Sequence, residues 1–236
     1  MIFLLVLAKI SDYRNKMKIT ISDEFRAVLP VFEGCAVTAE VKNSEFNAEL
    51  WNEITSFSEH CRQVYTEDSV KDFPPINATR DAYRKFGKQP SRYRPAAEAL
   101  IRRVVKGGEL YKINTLADLV NLASMVSGYS IGGFDLSKIQ GDLTLGIGRA
   151  GEPYEGIGRG ILNIEHLPVY RDNIGGVGTP TSDNERTKIS VETTHFLLLV
   201  NGYDGNADGV LKCANHTVEL IKKYCSAENI VVTPYN

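Results

Sequence analysis

Ile131-Gly132-Gly133-Phe134-Asp135-Leu136, continued by Ile139-Gln140-Gly141-Asp142 and closed by Gly151-Glu152, is the stretch on which the reading of this 236-residue chain turns. Upstream of Phe134 the apolar residues recur at helical spacing. Downstream they fall into short runs separated by glycine-rich turns, and residues 142–147, 160–164, 169–172 and 196–200 read as strands. Helices gathered in the first half and strands in the second predict an α+β or layered α/β domain, because the connections are too irregular for repeated βαβ units.

Immediately upstream, Asn114 and Thr115 open a helix whose stripe runs through Leu116, Leu119, Val120, Ala123 and Val126 until Gly128 ends it. Another helix carries Pro95 in its first turn, the stripe Ala97, Leu100, Ile101, Val104 and Val105, and the stop Gly107-Gly108. Pro74-Pro75 is expected to close a connection, with Asn77 capping a short helix through Phe86. Phe46, Leu50, Ile54, Phe57 and Cys61 predict an amphipathic helix over 45–64, with Trp51 beside its stripe as a core residue. Residues 19–41 read as two strands joined by a turn. At the other end, residues 209–225 form a last helix and 230–233 a closing strand.

The net charge of −2 and pI near 6.1 exclude a protein that holds nucleic acid by an overall positive field. A local patch is available where Arg80, Arg84, Lys85, Lys88, Arg92, Arg94, Arg102, Arg103 and Lys106 are interleaved with Tyr83, Phe86 and Tyr93. It reads either as a solvated helix face or as a phosphate track. The four cysteines show no metal-ligand spacing with the four histidines, which suggests reduced thiols in a cytoplasmic protein without metal. The apolar run at residues 1–10 lacks the flanks of a signal peptide and is too short to span a bilayer. Residues 1–16 are therefore expected to be a non-native extension from an early start codon, and residues 17–236 a single domain.

Several motifs tempt and fail. Gly146-Ile147-Gly148-Arg149-Ala150-Gly151 matches a dinucleotide fingerprint, but Pro153, Gly156, Gly158 and Gly160 follow where the phosphate-binding helix should start, so a hairpin turn is expected. Asp204 to Gly209 copies half of a calcium loop, yet the twelfth position is Asn215 instead of glutamate, leaving a polar turn that caps the last helix. Gly-x-Ser-x-Gly and His-Glu-x-x-His are absent, and His195 on an apolar strand reads as a packed residue.

Two segments carry a family likeness. Ile113-Asn114 through Asp118 and Asn121, followed by the Ile131–Asp142 stretch and Gly151-Glu152, resembles the B3/4 domain of the bacterial phenylalanyl-tRNA synthetase beta subunit. Tyr83-Arg84-Lys85-Phe86-Gly87 through Pro90-Ser91-Arg92-Tyr93-Arg94-Pro95 is more similar to the free-standing B3/4 proteins. The resemblance is strongest over residues 76–200. It implies a layered β/β/α domain and, by analogy with the synthetase domain that hydrolyses tyrosine misattached to the phenylalanine tRNA, editing of aminoacyl-tRNA in trans without metal or organic cofactor. Where the synthetase commonly has His-Ala-Phe-Asp, this chain reads Gly132-Gly133-Phe134-Asp135, which leaves open an altered substrate, an altered mechanism or lost catalysis. The rival reading is a non-catalytic tRNA- or amino-acid-binding module, and a third is hydrolysis of a small amino-acid ester or amide.

An aminoacyl ester is already activated, so its hydrolysis needs a positioned water, donors for the oxyanion and a pocket. Gly132 and Gly133 could offer backbone N–H groups, or could simply allow tight packing. Asp183 and Glu185 could orient water or bind the ammonium group, and Arg186 could contact a phosphate or brace a carboxylate. Thr179 and Thr187 lie in the same loop. Asn114, Asp118 and Asn121 share a helix face and could converge on substrate, or could cap the helix, with Thr115 and Asp118 as a capping box. Arg84, Lys85, Lys88 and Arg92 are the candidate tRNA contacts. The oligomeric state and the amino acid are not legible.

Overall fold

A computed structural model describes residues 17–236; the expectation for residues 1–16 falls outside them. The chain forms three layers. The middle layer is a sheet of order β11-β2-β10-β3, made by Glu228–Tyr235 (β11), Glu33–Glu40 (β2), His195–Gly202 (β10) and Ser130–Asp135 (β3). One outer layer is a second sheet of order β1-β4-β7-β8-β9: Ile19–Ile21, Leu143–Ile147, Pro168–Arg171, Gly176–Thr179 and Ser182–Asp183. Ala48–Val64 (α2), Thr115–Ser127 (α5) and Ala207–Cys225 (α6) cover the other face. The small pair Glu155–Gly156 (β5) and Gly160–Ile161 (β6) stands apart.

The period-two alternation of a strand explains how one sheet feeds two cores. From β10, Phe196, Leu198 and Val200 point to the helices with Val37 and Ala39 of β2, while Leu197 and Leu199 point to the second sheet with Ala36. Both faces being buried, β10 is apolar without interruption from Phe196 to Val200. Each helix presents a stripe to this sheet: Leu50 and Ile54 from α2, Leu116, Leu119 and Ala123 from α5, and Ala214, Val218 and Ile221 from α6. Truncating Leu198, which has no exposed surface, would cost roughly 2–5 kcal/mol.

Three expectations need correction. Residues 19–41 are not two strands joined by a turn: Asp23–Val28 (α1) intervenes, capped where Ser22 Oγ accepts from Phe25 N–H at 3.3 Å, and the flanking strands enter different sheets. The burial of Phe25 between them outweighs local strand preference. Pro74-Pro75 opens Pro74–Lys85 (α3) instead of closing a connection, because a missing N–H costs nothing in a first turn; Asn77 lies inside that helix. Residues 176–179, at the start of the stretch read as the loop holding Thr179 and Thr187, form strand β8, whose glycines let Tyr154 and Phe134 pack close. Ala96–Val105 (α4) starts after Pro95 as expected, and the Asp204 turn leads to Asn206, whose Oδ1 caps α6 by accepting from Gly209 N–H at 2.9 Å.

Candidate functional site

β3 is the open edge of its sheet, so N–H groups that alternate away from β10 project toward the second sheet. The Gly133 N–H is one of these, and Asp183 Oδ2 on β9 accepts its hydrogen bond at 3.2 Å. The Ile131–Asp135 segment and the 175–187 segment are thus neighbours. Alternation turns the Gly132 N–H toward β10, opposite Leu199. Neither N–H is therefore free for an ester oxygen; that of Gly133 instead fixes the carboxylate.

The glycines matter for what approaches them. A Cβ on Gly132 would lie 2.6 Å from Phe134 Cζ and 3.3 Å from Asp183 Oδ1, and one on Gly178 would lie 2.5 Å and 3.0 Å from the same two atoms. The Phe134 ring therefore lies against both backbones beside the carboxylate. The pocket is also walled by Tyr170, Asn201 and Tyr203 and keeps about 10 Å³ of free volume, room for a single water. Desolvation pushes the Asp183 carboxyl from 3.8 to about 7, opposed only by the Gly133 hydrogen bond. The Tyr203 hydroxyl, on the same wall, is buried without a partner. Tyr170 O–H donates to Asn201 Oδ1 at 2.6 Å, and Asn201 Nδ2 donates to the Ser130 carbonyl at 3.0 Å.

The other sequence candidates are placed differently. Arg186 grips Asp172 through both terminal nitrogens, at 3.0 and 2.8 Å, and donates to the Lys138 carbonyl, so it braces a carboxylate other than Asp183 or Glu185. Glu185 pairs with Lys188. Thr187 is fully buried and donates to the Val177 carbonyl at 3.3 Å. Thr179 lines the pocket, with its hydroxyl donating to the Ser182 carbonyl at 3.0 Å.

Asn114 and Asp118 do not converge on this pocket. Asn114 Oδ1 caps α5 by accepting from Ala117 N–H at 2.9 Å and also accepts from Asn43 Nδ2. Asp118 accepts from Trp51 Nε1 at 2.8 Å and from the Ile113 N–H at 3.0 Å, so Asn114 rather than Thr115 is the cap. Burial raises the Asp118 carboxyl and those two donors lower it, with burial the larger effect. Asn121 is on the same helix, across the middle sheet from Phe134.

The basic stretch divides. Arg80 and Arg102 both bind the fully buried Glu98, at 2.8 Å each. Lys88 is buried as well: its ammonium donates to the carbonyls of Asn163 and Glu165 and lies 3.9 Å from the centre of the Tyr93 ring. Arg84, Lys85, Arg92 and Arg94 remain exposed, and an open cleft of about 490 Å³ runs past Arg80, Arg84, Lys88 and Ser91. Sequence reasoning missed Phe134, Tyr170, Asn201 and Tyr203 as pocket walls.

Among the described residues no helix is long and apolar enough to cross a membrane, and no three His, Cys, Asp or Glu side chains are grouped to hold a metal ion. None of the curated protein sequences matches the chain. Among solved structures, an N-terminal fragment of the phenylalanyl-tRNA synthetase beta-subunit from Pyrococcus horikoshii is similar at 11% identity and a TM-score of 0.48, covering 94% of this chain and 55% of that one. The chain spans about half the length of that fragment. The B3/4 domain profile matches residues 78–226, well over half of the sequence and including β3, Asp183 and the basic cleft, so the chain belongs to the B3/4 domain family.

Proposed function

We propose that the chain hydrolyses the ester of a mischarged aminoacyl-tRNA in trans, with Asp183 as the base that activates water. The observation that carries this reading is the Asp183 carboxylate held by the Gly133 N–H between two sheets, with its pKa raised to about 7. A base with that value is half ionised at neutral pH, where it combines availability with a strong pull on a water proton. The water adds to the ester carbonyl as its proton passes to Asp183, and the terminal ribose oxygen leaves with a proton returned from the carboxyl. The unpartnered Tyr203 hydroxyl on the same wall is the available donor toward the developing oxyanion. The exposed Arg84, Lys85 and Arg92 around the open cleft supply phosphate contacts that a chain of net charge −2 cannot provide globally.

A second reading, a module that binds without catalysis, is favoured by one specific feature: the Phe134 ring fills the pocket and leaves about 10 Å³. Hydrolysis requires that ring to swing aside as the amino acid enters. Deacylation by the purified protein of a panel of mischarged tRNAs separates the readings. Cleavage above the uncatalysed rate that Asp183→Asn abolishes supports the hydrolase; tRNA binding with no cleavage of any ester supports the module.

A further inference from the structure

We infer that a second cleft, between α2 and the segment joining α4 to α5, binds an unpaired nucleotide strand by stacking bases on Phe46 and Trp51 and holding phosphates with Lys112 and Arg62. The cleft has an open volume of about 460 Å³, within the range of ~300–1,000 Å³ typical of ligand sites. It lies across α2 and α5 from the Asp183 pocket and stands whether or not that pocket cleaves esters.

Its walls alternate rings and cations. Phe46, just before α2, is 49% exposed. Trp51 is partly exposed, and its one polar group, the indole N–H, is already engaged by Asp118 at 2.8 Å. That bond fixes the ring plane and leaves only the π face for a ligand. The Lys112 ammonium lies 5.0 Å from the Phe46 ring centre and 5.2 Å from that of Trp51, so one cation serves both rings. Next to Lys112, Tyr111 is 69% and Ile113 55% exposed, and the Arg103 guanidinium sits 4.1 Å from the Tyr111 ring centre. Two aromatic groups, Phe46 and Trp51, line the cleft, and Tyr111 and Ile113 extend the exposed apolar surface beside it.

Charge selects which occupant. Arg62 and Arg103 direct their Nε–H groups to the main-chain carbonyls of Val104 and Glu109 instead of to carboxylates. The cleft lining holds Arg62 and Lys112 against the single carboxylate Glu109, while the Asp118 carboxylate lies behind the Trp51 ring and is engaged by its indole N–H, so the two cations are the charges the open cleft presents beside its rings. Rings alternating with cations match bases alternating with phosphates, and an unpaired strand exposes the base faces that a duplex hides. An acidic peptide would meet the cations but leave the rings without a stacking partner.

The chain's single tryptophan reports on the cleft directly. Titrating the full chain with a short single-stranded RNA should quench Trp51 fluorescence saturably, whereas a blunt duplex of the same sequence should not. Phe46→Ala should weaken binding about fivefold or more, and Lys112→Ala should weaken it and flatten its salt dependence. Both side chains are exposed, and unchanged melting temperatures would show that the variants fold. Asp183→Asn should bind the RNA as the wild type does, which separates this site from the hydrolytic one. Absence of quenching, equal affinity in Phe46→Ala, or equal binding of a polyglutamate peptide would overturn the assignment.

Discussion

Replacing Asp183 by asparagine should stabilise the protein above neutral pH and leave it nearly unchanged in acid. Burial between the sheets lifts this carboxyl from 3.8 to about 7, and the Gly133 N–H offsets only part of the effect. Between those two values the folded chain holds a proton that the unfolded chain has released, so the wild type loses stability as pH rises through that window. The loss is on the order of 4 kcal/mol when complete above pH 7. Asparagine carries no charge to desolvate and keeps an acceptor oxygen for Gly133, so the variant escapes the penalty. Urea denaturation at about pH 4.5 and about pH 8.5 measures it, since taking the difference between the two proteins removes every other titration. With a urea slope of roughly 2 kcal/mol/M, the variant's midpoint should exceed that of the wild type by about 1–2 M at the higher pH and by little at the lower. A difference independent of pH, or one favouring the wild type in base, would mean that the carboxyl ionises without cost, and the argument for a neutral-pH base would fail.

Other consequences are read more simply. Gly132→Val drives a side chain into the Phe134 ring, whose Cζ lies 2.6 Å from the new Cβ; a destabilisation of about 1–3 kcal/mol and loss of deacylation are expected, measured by melting and single-turnover assays. Glu98→Ala strips the shared partner from Arg80 and Arg102 in a site where Glu98 is fully buried, and should lower stability by about 3–5 kcal/mol; a thermal shift corresponding to less than about 1 kcal/mol would show that those guanidiniums find water instead. Arg84→Ala with Lys85→Ala should weaken tRNA binding and reduce the slope of affinity against salt without changing the melting temperature. Lys88→Ala should show the opposite pattern, because that lysine secures the Asn163 and Glu165 carbonyls.

The helices that pack one face on a single sheet were legible, since burial on one side imposes a clear period; α4 and α5 begin and end where Pro95, Asn114 and Gly128 mark them. The strands of the middle sheet were legible as strands, but not by face. In β10 both sides are apolar, so nothing distinguishes the side of Leu197 from that of Leu198, and the pocket walls Asn201 and Tyr203 could not be assigned. α1 was hidden because six residues give too short a period, and its one decisive contact, Phe25 between the sheets, is non-local. Asp183 and the Gly132–Gly133 pair were named from small and polar residues in two separate segments, and the hydrogen bond from Gly133 to Asp183 is the geometry those residue types permit. Asn114 and Asp118 were ambiguous for a physical reason: the short polar side chain that can bind substrate is also the one that caps a helix. Lys88 was lost in a run of like charges, where sequence gives no sign of which cation is enclosed.

The most direct test of the central claim is the pH dependence of deacylation under single-turnover conditions, with a mischarged tRNA that the wild type cleaves. Asp183 acts when ionised, so the rate should climb from about pH 5, pass its midpoint near the carboxyl's value of about 7 and level off in base, with Asp183→Asn slow throughout. A profile that tracks hydroxide with no inflection near 7, or an Asp183→Asn variant that cleaves as fast as the wild type, would contradict the assignment of Asp183 as the base.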